Sequence, residues 1–197
     1  PPAPTITSPT NGSTTSNGNV TVTGSSQAGA LLTVRQVGGA NLGSVTVPQG
    51  GAYAVPLSLL PGSYTITAIA TNAGGNSPPS SSVTFTVLPP PPTVTAPVVG
   101  YSSTSTTVAV AGLALPGATV AVKLGPVTLT TLSVDASGAF AGSVLVPAGL
   151  STLSFTQTIA GATSNPATAA VAILPPAPMI STSGRARCSC SSGETGS

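Results

Sequence analysis

The chain has 197 residues, a length suited to one large domain or two of about 100 residues. It carries four Lys and Arg, two Asp and Glu, no His and no Trp, with 23 Gly and 21 Pro. That inventory leaves no Ser-His-Asp or Cys-His machinery, no imidazole for a metal, and too few cations to follow a phosphate backbone.

Between Arg35 and Lys123 stand 87 residues without a charge. A membrane-spanning helix needs about 20 consecutive apolar residues. Here Thr, Ser, Gly, Asn or Pro interrupts every apolar run within a few positions. Disorder is equally disfavoured, because disordered chains are charged and poor in β-branched residues. An all-β protein with an uncharged surface remains, with no cofactor, no nucleic-acid partner and no membrane insertion expected. The chain opens on Pro1 without an initiator Met or signal peptide, as a processed product or a fragment would.

Strands are predicted near 5–7, 19–23, 31–37, 42–47, 52–58, 63–71 and 82–88. A second set is predicted near 93–96, 107–111, 118–124, 127–134, 139–146, 151–159 and 168–174. Turn residues separate them every 8–12 positions, the mark of an all-β sandwich. Period-2 alternation at Val20/Val22, Tyr64/Ile66/Ala68, Val83/Phe85/Val87, Val108/Val110, Val120/Val122 and Ala169/Val171/Ile173 predicts the core-facing positions.

The two sets are copies of one another. NVTVTG (19–24) aligns with TVAVAG (107–112), and AGALLTVR (28–35) with PGATVAVK (116–123), both at an offset of 88. Tyr53 aligns with Phe140 at 87, and SVTFTVLPPPP (82–92) with TAAVAILPPAP (168–178) at 86. Drifts of one or two residues are what loop insertions produce. The expected organisation is a first domain over 1–88, a polyproline linker over 89–92, a second domain over 93–174 and a tail over 175–197.

Three of these features carry a resemblance: PGATVAV, VDASGAF (134–140) and LPGSYTITAIATNAGGNSPPSSSVTFTV (60–87). With the Pro-rich joint, they make residues 1–174 similar to tandem bacterial Ig-like domains of large adhesins and other cell-surface proteins. The resemblance implies two seven-stranded Greek-key sandwiches. It makes Asp135, Gly138 and Phe140 turn and core residues and Tyr64 a corner tyrosine. VPAGLSTL in the second unit offers no such Tyr, and no Cys…Trp…Cys pattern exists. Some surface Ig-like domains form a Lys–Asn or Lys–Asp isopeptide bond, but Lys123 aligns with Arg35 and is expected in solvent. One Asp cannot furnish a calcium site.

Further candidates remain. Asn11 (Asn-Gly-Ser) and Asn19 (Asn-Val-Thr) match the N-glycosylation pattern, and 102–107 is a Ser/Thr cluster open to O-linked sugar. Tyr101 is expected free in a loop beside that cluster. Cys188 and Cys190 are poorly spaced to bond to one another and are candidates for an intermolecular disulfide. The tail segment PPAPMISTSG (175–184) aligns with the start of the chain at twice the repeat. It reads as the first strand of a third unit, or as a donor strand, Met179, Ile180, Ser181 and Thr182, for an open edge of a neighbouring molecule.

No enzyme is expected. The sequence reading is a structural protein of the cell surface or extracellular space. Its partner is itself, head to tail, or neighbouring Ig-like repeats, with glycans as a candidate addition. The leading form is a filament, fibre or sheath subunit, because isolated soluble domains ordinarily keep net charge to resist association. The alternative is a passive adhesin stalk.

Overall fold

The computed structural model describes residues 1–175. The first unit holds β1 (Thr5–Ser8), β2 (Ser13–Thr15), β3 (Asn19–Ser25), β4 (Leu31–Gln36), β5 (Asn41–Thr46), β6 (Ala52–Ser58), β7 (Gly62–Asn72), β8 (Gly75–Asn76) and β9 (Val83–Val87). The second holds β10 (Thr93–Ala96), β11 (Tyr101–Ser103), β12 (Thr107–Leu113), β13 (Thr119–Leu124), β14 (Val127–Ser133), β15 (Ala139–Leu145), β16 (Gly149–Ile159), β17 (Ala162–Thr163) and β18 (Ala167–Ile173). Among the described residues no helix occurs.

Each unit is a sandwich of a small and a large sheet. The small sheets run β1-β3-β6 and β10-β12-β15. The large sheets run β2-β9-β7-β4-β5, with β8 on β7, and β11-β18-β16-β13-β14, with β17 on β16. All pairings are antiparallel except β2 with β9 and β11 with β18.

The alternation sets the core. In the small sheet Val22 lies opposite Val55 and Val20 opposite Leu57, all buried. Leu32, Val34, Ile66, Ala68, Phe85 and Val87 face them from the large sheet. The second unit repeats this with Val108, Val110, Val120, Val122, Leu153 and Phe155. Each large aliphatic side chain so buried contributes roughly 1.5–3 kcal/mol relative to leaving it exposed. Tyr64 stacks on Phe85 at 5.7 Å in one unit; Phe140 meets Phe155 at 6.4 Å in the other.

Close approach fixes two glycines. A methyl on Gly24 would overlap the Thr5 carbonyl oxygen and stand 2.6 Å from the Tyr53 hydroxyl. One on Gly112, the equivalent position, would overlap the Thr93 carbonyl oxygen and crowd the Phe140 ring. Both glycines let the first strand of a unit cross over an aromatic ring.

The seven predicted strands per unit are present, and four short ones accompany them: β2, β8, β11 and β17. Neither β2 nor β11 shows apolar alternation, since each is fixed by parallel pairing to a distant strand. The two-residue β8 and β17 close hairpins on β7 and β16. Tyr101 is therefore not free in a loop. It opens β11 opposite Val171 and packs against the second core. The reason is that Ser13, its counterpart 88 residues earlier, occupies the same parallel pairing, opposite Phe85.

Candidate functional site

The residues expected at turns hold them. Asp135 Oδ1 accepts from the Ser137 backbone N–H at 2.8 Å, the Ser137 hydroxyl at 2.6 Å and the Ala139 N–H at 2.9 Å. Gly138, at φ +85°, closes the turn by donating to the Asp135 carbonyl at 3.1 Å. The Ser137 hydroxyl, then the Ala139 N–H, hold the Asp135 carboxyl below the usual carboxylate range. All of this is turn chemistry, since these bonds use the carboxylate to order its own loop.

Tyr64 makes the expected corner. Its hydroxyl donates to the Leu60 carbonyl, four residues upstream, at 2.8 Å. Tyr53 is a second anchor that the sequence did not point to: its hydroxyl donates to the Thr5 carbonyl at 2.6 Å and ties β6 to β1. Burial pushes the Tyr53 phenol up to about 12.

Asn11 and Asn19 are both exposed. The Asn11 side chain accepts the Thr84 N–H at 2.9 Å, and the Asn19 amide oxygen accepts from the Ser58 hydroxyl at 3.1 Å. Arg35 is exposed and Lys123 half-buried at matching places on β4 and β13. Among the described residues no cluster of His, Cys, Asp or Glu could hold a metal ion, and no helix is long and apolar enough to cross a membrane. Met179, Ile180, Ser181, Thr182, Cys188 and Cys190 lie outside the described residues.

The best-formed polar site is at the joint. Gln157, on β16, is 1% exposed. Its Nε2 donates to the Pro90 carbonyl at 2.6 Å, and its Oε1 accepts the Leu115 N–H at 2.8 Å. Its own backbone exchanges bonds with Ser164, whose hydroxyl accepts the Gln157 N–H at 3.0 Å. A buried amide with both ends bonded fixes what it touches. Here it fixes the linker to the second unit. Sequence reading missed Gln157. The available signal was a long polar residue in the inward register of Leu153 and Phe155, where the first unit has Ala70.

Residues 3–88 match the family model of the bacterial Ig domain. The first unit is thus similar to a bacterial Ig domain. The second repeats its strand order, its sheet partition and its parallel closing pair. The chain is also similar to a two-domain fibronectin type III segment from chicken tenascin. That likeness has a TM-score of 0.51 and 13% identity over 86% of this chain and 97% of that one. It supports the fold of two linked sandwiches. Fibronectin(III)-like modules of Clostridium thermocellum CbhA align at TM-score 0.36 and 16% identity, covering 87% of this chain and 94% of theirs. The adhesin InvE of Yersinia pseudotuberculosis aligns at TM-score 0.40 and 16% identity, covering 86% of this chain and 58% of its own. Those two, with TM-scores below 0.5, add nothing to the fold assignment. No curated protein matches the chain in sequence. Ig-like and fibronectin type III sandwiches are in general structural modules, and in both units of this chain the ordered polar groups hold turns and joints.

Proposed function

We propose that this chain is a non-enzymatic structural protein of the cell surface or extracellular space, a repeating subunit of a filament, fibre or sheath built from Ig-like units. One observation carries the reading. The second unit exposes large aliphatic side chains, Val98, Val99, Leu145 and Leu150 at 64%, 105%, 69% and 89%, in a domain whose only charged side chains are Lys123 and Asp135. Exposed apolar surface with so little charge to repel a neighbour favours association.

The test is light scattering of the full chain from about 1 to 100 μM, micromolar being the range where modest interfaces assemble. Mass that grows with concentration into elongated particles supports the filament. A monodisperse monomer throughout overturns it.

A second reading, the passive stalk of a surface adhesin, is favoured by the Gln157–Pro90 bond. A linker clamped to one domain makes a rod without any second copy. Under it the chain stays monomeric and scatters X-rays as a fixed, extended pair of domains.

A further inference from the structure

The two units differ on one face. On the outside of the large sheet in the first unit, hydroxyls pair across strands: Ser63 with Thr86 at 3.3 Å and Thr65 with Thr84 at 3.0 Å. The repeat places Leu150, Thr152, Ala172 and Ala170 at those positions in the second unit. The edge beside them differs too. In the first unit Asn11 Oδ1 takes the Thr84 N–H, and Gly12 N–H donates to the Thr84 carbonyl at 2.7 Å, so the segment between β1 and β2 is laced to β9. In the second unit Val99 stands in the place of Asn11 and has no acceptor to offer the Ala170 N–H.

Two open clefts result, of about 450 Å³ and 430 Å³, and they meet at Gly100 and Ala170. The first runs past Tyr101 and Leu150, the second past Val98 and Val99. No charged residue lines either one. Such a surface suits a short uncharged segment that brings large aliphatic side chains to the clefts and a main-chain carbonyl to Ala170, the combination used when a strand is added to a sheet edge.

This chain carries such a segment. Between Pro175 and Arg185 there is no charge, and Met179 and Ile180 are the only adjacent pair of large aliphatic residues after Leu174. We propose that the joined clefts of the second unit bind residues 177–182 of a second copy, with Met179 and Ile180 in the apolar clefts. This rests on the self-association proposed above and names its acceptor.

The single methionine makes a direct test. Full chain is prepared with photo-methionine at 179, mixed as heavy- and light-isotope pools, and irradiated. Heavy–light crosslinks from 179 to residues 98–101, 150–152 or 168–172 are expected. The variant carrying Val99→Asn and Ala170→Thr, which restores the pattern of the first unit, should reduce them at least tenfold while keeping its thermal transition. If polymers form but 179 crosslinks elsewhere, or the variant crosslinks as before, the acceptor site is wrong and self-association stands. Crosslinks confined to single chains assign the clefts to the chain's own tail and overturn the proposal. A chain that stays monomeric with no heavy–light product overturns both readings.

Discussion

Gln157 and Pro90 lie 67 residues apart and are joined by a 2.6 Å hydrogen bond, from the side-chain amide of one to the carbonyl of the other. The equivalent of Gln157 in the first unit is Ala70, which keeps the backbone bonding, to Ser77, but has no amide to reach a preceding linker. The polar clamp thus appears at the joint between the two units and not at the start of the first.

Replacing Gln157 with Ala leaves the Leu115 N–H and the Pro90 carbonyl without their partner. Loss of such a buried bond costs about 1–3 kcal/mol. The second unit should melt earlier in a calorimetric scan while the first is unchanged. Small-angle scattering should broaden at the same time, because the linker is released. An unchanged scattering profile would show that the amide does not hold the joint.

Gly24→Ala and Gly112→Ala should each disable one unit only. The new methyl has backbone on one side and an aromatic ring on the other, so neither neighbour can yield cheaply. A loss of about 3 kcal/mol or more is expected for overpacking of this kind. Gly50→Ala, where a methyl meets nothing within 4 Å, is the control and should be near neutral.

Tyr53 gives the first unit an alkaline limit that the second lacks, since Phe140 occupies the matching place. The folded phenol titrates near 12 against an ordinary value near 10. A raised acid is bound to its proton more tightly in the folded state, so its contribution is complete below pH 10 and is lost as pH rises towards 12. Thermal scans from pH 8 to 12 should show the first transition falling and the second holding. Tyr53→Phe should abolish that slope, at the cost of about 1 kcal/mol for the bond to Thr5.

Asp135 sets the acid side, and in the second unit. Its folded pKa is lowered by the Ser137 and Ala139 bonds, so its contribution is present above the ordinary carboxylate value and lost as pH falls through the folded one. It is the only side-chain carboxylate before Glu194. Both transitions should therefore be nearly flat from about pH 5 to 9, and only the second should move below pH 4. Asp135→Asn should remove that acid slope. A steep acid loss in the first unit would contradict the assignment.

Much of this protein was legible in its residues. Alternation at Val20/Val22 or Val120/Val122 fixes a strand and its inward face, because side chains on a strand must point to opposite sides. The offsets of 86 to 88 fix two copies of one sandwich, and Asp135 with Gly138 fixes a turn by local hydrogen bonding alone. Residues such as Gln157, Tyr53 and Tyr101 carry no local pattern. Their roles depend on which distant backbone group comes within about 3 Å, and only the packed sandwich brings Pro90, Thr5 or Val171 there. The difference between the two outer faces is intermediate: Asn11 against Val99 and Thr84 against Ala170 can be read by aligning the repeats. That these four positions share one edge is decided by the parallel pairing of β2 with β9 and β11 with β18, a contact between strands some 70 residues apart that no short stretch of sequence encodes.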